Sequence, residues 1–457
     1  MERLLRELSQ NLNQILDYDP RFELDESARD RVEKGHKALL QLMVKDQVQI
    51  YGLHTHYGFN VKDKISKNDW RDHQRQLLEY LCVGVGEPLE ERVVRLALRL
   101  QVMKVSQGRS GTHPKTLNRL IQLSHSHHLP KVPSMGSLGA SGDLIPMAHA
   151  VRPIFEGHPV EGPRDVISLV NTNAMMSAYA ATNFQRIEEL LLASEKVLAL
   201  NVFASGCDRG FLDPSLLREF HAYEYLENFL SRTNRYLREL GKPYFSKDHL
   251  QHPYSIRCAP QVFGLAWKSM MDSKKTIDAE SKAIADNPIL SEDGQSMLHG
   301  GLFYANGIAW ASDQMNDVMG RIGELLDRQV LLMMDPNFSG GLSDNLGWGE
   351  RIHCKGIHQL ISSLHQDLRS RGLPSRMMSF SCESNNQDVV PCGMTAQNGV
   401  SKNLETFSEI VKASSFIGLR SFYERKQMAL PESLMISEFH KFSLKKFDQL
   451  YSELVIN

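Results

Sequence analysis

The 457-residue chain lacks a surplus of either charge: 52 lysines and arginines stand against 54 aspartates and glutamates, a formal net charge of -2. With no long lysine or arginine tract, the expected partner is a small molecule, and neither nucleic acid nor an acidic membrane surface is indicated. Also missing is an uninterrupted apolar run of membrane-spanning length. The opening MERLLRELSQNLNQIL places acidic residues inside an amphipathic pattern, which reads as neither a signal nor a transit peptide. Six cysteines (Cys82, Cys207, Cys258, Cys354, Cys382, Cys392) make no CxxC pair. Reduced thiols in a cytoplasmic protein are expected from that scatter, rather than a disulfide frame or a zinc site. His125, His127 and His128 in SHSHH lack further ligands at metal spacing, so they read as a solvated helix end and no metal is expected.

Internal repeats, low-complexity segments and convincing strands are scarce as well, and what is there is helical texture. A helix start is expected at Asp25, before SARDRVEKGHKALLQLM, and the pattern breaks at Tyr51 in YGLHTHYGFN. Helix resumes from about Asp69 to Cys82, and Val93, Leu96, Ala97, Leu100 and Met103 recur at the spacing of one buried face. GRSGTHPKTL stops that helix, as its glycines and proline require. Two long apolar stripes follow, one through Ile187, Leu190, Leu191, Ser194, Val197 and Leu198. The other runs through Ile308, Ala311, Met315, Val318, Ile322, Leu325 and Leu326. Such stripes are core or subunit interface, and LLMMDP at 331–336 reads as packing. A mainly α, essentially all-α architecture follows.

The stretch with chemistry in it is GSLGASGDLIPMAHA, residues 136–150. If the fold compresses the Ala140-Ser141-Gly142 triplet, the Gly142 amide nitrogen can attack the Ala140 carbonyl carbon. Loss of water there, and of the Ser141 hydroxyl, leaves a conjugated 4-methylidene-imidazol-5-one, an electrophile made from backbone. Gly142 permits the sharp turn, Ala140 is small, and Ser141 carries the leaving hydroxyl. A helix opening at Asp143 would aim its N-terminal amides toward that ring.

The whole string closely resembles the cofactor loop of the histidine, phenylalanine and tyrosine ammonia-lyases, which form this ring autocatalytically and need no external cofactor. The resemblance runs from roughly Asp25 to Gln427, with four motifs in the family's order. It implies a fold of the ammonia-lyase/fumarase-like type, with an elongated central helical bundle and few short strands, assembled as a homotetramer. Residues 1–160 are then expected to carry the lid loop and the Ala-Ser-Gly loop, and residues 161–457 the long helices and a short C-terminal part.

Elimination of ammonia needs an electrophile, a base and a carboxylate anchor. Enzymes lower barriers by roughly 8–23 kcal/mol, more than one base supplies at about 10²–10⁴-fold. The ring therefore has to contribute much of it. By resemblance, Ala140, Ser141 and Gly142 become that ring, and Asp143 supports its closure. Tyr51 in YGLHTHYG matches the lid tyrosine and is the expected base. In QHPYSIRCAPQ, Arg257 offers a guanidinium fork to the substrate carboxylate, Tyr254 assists at the amine, and Gln251 and Gln261 complete the polar network. Asn171 matches an asparagine that holds carboxylate and ring, and Phe303 an active-site aromatic. Glu383 and Gln387 in SCESNNQDVV match the Glu and Gln of the phenylalanine and tyrosine lyases, where histidine lyases tend to carry an acid at the second position. Tyr80-Leu81 falls at the aromatic selector pair and is nearer the Phe-Leu and His-Leu pairs of those enzymes than the Ser-His of histidine lyases.

The resemblance thus implies a carbon-nitrogen lyase acting on L-tyrosine or L-phenylalanine. Histidine elimination, a 2,3-aminomutase using the same groups, and a catalytically silent binding homologue are the alternatives. Departures from the pattern are His54, His56 and Thr172, a short connection from Ala150 to Val166, and a short C-terminus.

Overall fold

The computed structural model describes residues 24–45, 47–66, 68–242, 251–347 and 353–456. The amphipathic opening therefore lies outside the described residues. The chain is 64% helical, and among the described residues the strands are two short antiparallel pairs, Val85–Pro88 with Pro133–Met135 and Ile289–Leu290 with Met297–Leu298.

The helix at Glu26–Met43 begins where the sequence places it, because the Asp25 carboxylate accepts the Ala28 amide at 2.7 Å. Such a cap is worth about 0.5–2 kcal/mol. Helix also spans Trp70–Leu81 and Glu91–Val105. The latter differs from the single-face expectation: Arg99, Gln101 and Lys104 are buried beside Val93, Leu96, Ala97, Leu98, Leu100, Val102 and Met103. Periodicity misses this because a buried polar residue depends on specific partners; Gln101 Nε2, for instance, donates to the Ser168 carbonyl at 2.7 Å. The two apolar stripes are buried as expected, within helices Ala174–Ser205 and Asn306–Met333. In LLMMDP, Met333 and Met334 are buried while Leu331 is exposed, so only part of that segment packs.

Two compact units divide the chain. The first comprises residues 1–183, 273–313 and 374–398, and the second 184–272, 314–373 and 399–457. The first holds both strand pairs, the lid loop and the Ala-Ser-Gly loop. The second is helical; in it the buried Glu195 carboxylate accepts from Arg232 and from Trp267 Nε1, both at 2.7 Å, and Asn201 pairs with Gln329 at 3.1 Å.

Candidate active site

The Ala-Ser-Gly loop lies between the strand Pro133–Met135 and the helix Leu144–Val151. It turns on itself: Gly142 bridges to both Gly139 and Ala140, and its φ is 71°. A Cβ on Gly142 would collide with the Thr172 backbone, so glycine is required for shape and for space. Asp143 precedes the helix; its amide donates to the Thr172 carbonyl at 2.5 Å and its Oδ2 accepts the Met176 amide at 2.9 Å. Thr172 thus serves through its backbone.

Ser141 is gripped on both sides. Asn171 Nδ2 donates to its carbonyl and Gln387 Nε2 to its hydroxyl, both at 2.8 Å. Asp143 is fully buried and its Oδ1 has no hydrogen-bond partner. Burial pushes that carboxyl up to about 7, against the pull of the Met176 and Met175 amides and of Lys104. A compressed glycine turn, an oriented serine hydroxyl and a buried carboxyl with a free oxygen fit a loop built to cyclise.

Tyr51 stands at the root of the lid loop. Its hydroxyl accepts the Gly58 amide at 2.7 Å, and its own amide approaches His299 Nε2 at 3.4 Å. Burial raises its phenol above the ordinary 10, with Glu383 adding to the rise, while the Gly58 contact and Arg164 oppose it. Glu383 reaches the same loop, its Oε1 accepting the Phe59 amide at 3.2 Å. A Cβ on Gly58 would collide with that carboxylate. Tyr80 is exposed at 54%; its phenol is raised by burial first and then by the charges of Tyr51 and Glu383. Leu81 is buried, and Phe303 is half-buried in a turn before Asn306–Met333.

The departures His54 and His56 also find places. His54 Nδ1 accepts the Ile50 amide at 3.0 Å. His56 packs edge-on against His73, which stacks on Tyr57 with ring centroids 4.4 Å apart. Tyr57 in turn accepts from Gln74 Nε2 at 2.6 Å.

Gln251, Tyr254 and Arg257 belong to the second unit. Tyr254–Arg257 is a single helical turn, Tyr254 is 69% exposed, and the Arg257 guanidinium lies 4.5 Å from the centre of its ring. Arg257 Nε and Gln261 Oε1 are buried atoms without hydrogen-bond partners. Gln251 is exposed.

Sequence reasoning missed Arg164, which is fully buried and clamps both oxygens of Asp286 at 3.0–3.1 Å while approaching the Tyr51 carbonyl at 3.4 Å. Nothing in the string GPRDV marks a buried cation, since arginine is usually a surface residue. Lys104, Glu280 and Gln74 were missed for the same reason. Among the described residues, no group of three or more His, Cys, Asp or Glu could hold a metal ion, and no helix is long and apolar enough to cross a membrane.

Comparison with known proteins completes the picture. A family model described as aromatic amino acid lyase matches residues 9–161 and 158–441. A histidine ammonia-lyase of Photobacterium profundum is 26% identical over 498 aligned positions, covering 99% of this chain and 95% of the relative. Among solved structures, a phenylalanine aminomutase of Pantoea agglomerans matches with a TM-score of 0.84 at 20% identity, covering 98% of this chain and 92% of that one. A tyrosine aminomutase from Streptomyces globisporus matches with a TM-score of 0.80 at 19% identity, over 95% and 92% of the two chains. At such identities the structural matches speak to the fold alone.

Proposed function

The chain belongs to the aromatic amino acid lyase family of carbon-nitrogen lyases, and from that premise we propose that it eliminates ammonia from L-tyrosine or L-phenylalanine to give coumarate or cinnamate. The observation that carries the reading is the convergence on Ser141 of Asn171 and Gln387, with the Gln387 turn also carrying Glu383 to the Tyr51 loop. The 4-methylidene-imidazol-5-one formed from Ala140, Ser141 and Gly142 would supply an electrophile for the substrate amine or ring electrons.

The chain's own residues do the rest. Tyr51 removes the β-proton. Burial raises its phenol, so the base form has to be favoured by the substrate ammonium beside it. Glu383 and Gln387 face the amine end, and Asn171 orients the ring loop and the carboxylate. Tyr80, Leu81 and Phe303 receive the aromatic side chain. Arg257 binds the carboxylate as a fork, with Tyr254 stacked on it and Gln251 six residues before it in sequence. We infer that this segment is delivered by another subunit of a homotetramer, working in the cytoplasm.

Gln387 and Tyr80 favour a phenyl or phenol over an imidazole, because neither offers a charge to a histidine ring. The matching histidine ammonia-lyases favour histidine as the second reading. Ultraviolet scans of the purified protein with phenylalanine, tyrosine and histidine separately decide: cinnamate or coumarate absorbance is expected, and urocanate alone would overturn the substrate assignment. A β-amino acid as the sole product would make the chain an aminomutase.

A further inference from the structure

Ring closure asks for pressure. The Gly142 nitrogen has to approach the Ala140 carbon, and the wall behind Gly142 is the Asn171–Thr172–Asn173 turn, whose Thr172 backbone leaves no room for a Cβ. The near side of that turn holds Ser141 through Asn171 and Asp143 through the Thr172 carbonyl. Its far side is held by a charge. Asn173 Nδ2 donates to Glu280 Oε2 at 2.6 Å, and Glu280 lies in the last turn of the helix Ala259–Lys282.

What fixes that helix end is Lys104. The residue is 3% exposed, and its ammonium donates to the Glu280 carbonyl at 2.5 Å and the Ala283 carbonyl at 2.8 Å. Terminal helix carbonyls are partial negative charges, so a lysine there is well placed. Burying an ammonium in a dry interior is nonetheless expensive, and burial brings Lys104 down to about 7, against the pull of Glu280 and Asp143. A neutral side chain of similar length would fill the space without that cost, so the charge calls for a use.

We propose that Lys104 and Glu280 are a positioning pair for closure of the Ala140–Gly142 ring. Lys104 fixes the helix end, Glu280 holds Asn173, and the turn so anchored presses Gly142 onto Ala140. Lys104 also acts by its charge on Asp143, which follows Gly142 in the chain and whose Oδ1 has no hydrogen-bond partner. The closure balances without any oxidant. The Gly142 nitrogen bonds to the Ala140 carbon, whose oxygen leaves as water with the amide hydrogens of Gly142 and Ser141. A second water then takes the Ser141 hydroxyl and its Cα hydrogen.

The inference rests on the proposed prosthetic group, and intact-mass measurement separates the two. Wild type is expected to be lighter than its sequence by two waters, and Ser141→Ala to show no such loss. An undehydrated wild type would remove the prosthetic group and this inference with it. With wild type dehydrated, Lys104→Met is expected to fold, by circular dichroism and melting, yet to dehydrate about tenfold or more slowly in a time course after synthesis. Lys104→Arg, which keeps a cation, should recover part of that rate. A residue of purely structural worth would instead lower the melting temperature and leave every folded molecule dehydrated. That outcome, or a wild-type rate in Lys104→Met, overturns the assignment. If Lys104→Met does not accumulate folded, Glu280→Gln carries the same expectation, and dehydration at the wild-type rate there overturns it equally.

Discussion

The Ala-Ser-Gly loop and the lid loop are held in opposite ways. Around Ser141, the backbone of Thr172, the amides of Asn171 and Gln387 and the buried Asp143 close on a few atoms from several directions. Around Tyr51 the loop tip is open: Phe59 is 59% exposed, and its amide is held by Glu383, itself on an exposed turn. A reaction that happens once per molecule can be built into a packed interior. A loop that admits substrate at every turnover needs contacts cheap enough to break.

The sharpest break of this contrast is Ser141→Ala. It removes the ring and should lower kcat by at least about a thousandfold, while the lid contacts and the helical content stay as they are. Tyr51→Phe acts from the other side. Turnover should fall by about 10²–10⁴-fold, and the loss of two waters should persist, because the phenol is held by the Gly58 amide. A normal rate in that variant would remove Tyr51 as the base. Since burial raises Tyr51 above 10 in the free site, the base form grows as pH climbs toward that value. Wild-type kcat/KM should keep rising through about pH 9 to 10, and Tyr51→Phe should lose that limb.

Glu383→Gln tests the latch itself. Without the charge, the Phe59 amide loses a charge-assisted bond, and hydrogen exchange at residues 57–60 should quicken by about tenfold. Exchange at residues 140–143 should not change. Equal quickening in both places would mean that the two loops are one unit, and the contrast would fall.

The same contrast explains what could be read beforehand. Helix positions follow from periodicity and from caps such as Asp25, because these are local. The Ala-Ser-Gly turn is legible in its letters, because glycine permits a sharp turn there, and the structure folds Gly142 back on Ala140. What escapes the sequence is the set of charged partners. Lys104, Glu280 and Arg164 are ordinary charged letters, and only the fold brings them to the Glu280 and Ala283 carbonyls, the Asn173 amide and the Asp286 carboxylate. Four of the five unit boundaries, at residues 183, 272, 313 and 398, fall inside long helices, where no change of composition marks them; the fifth, after Leu373, lies between Gly372 and Pro374.

The smallest expected effect concerns the root of the lid, where the contrast narrows. Tyr57, His73 and Gln74 pack there as closely as the ring loop does, and His73 Nε2 is buried without a partner. Burial first, and His56 second, bring His73 from 6.5 down to about 4. The folded state therefore refuses a proton that the unfolded chain accepts, so the His73 contribution is intact above about pH 6.5 and is lost as pH falls toward 4. A difference of that size is worth at most about 3 kcal/mol. His73→Phe keeps the stack on Tyr57 and cannot protonate. Urea unfolding at about pH 7 and pH 4.5 should show the variant losing about 2 kcal/mol less stability between the two than wild type does. An equal loss would mean that water reaches His73, and that the lid is loose from tip to root.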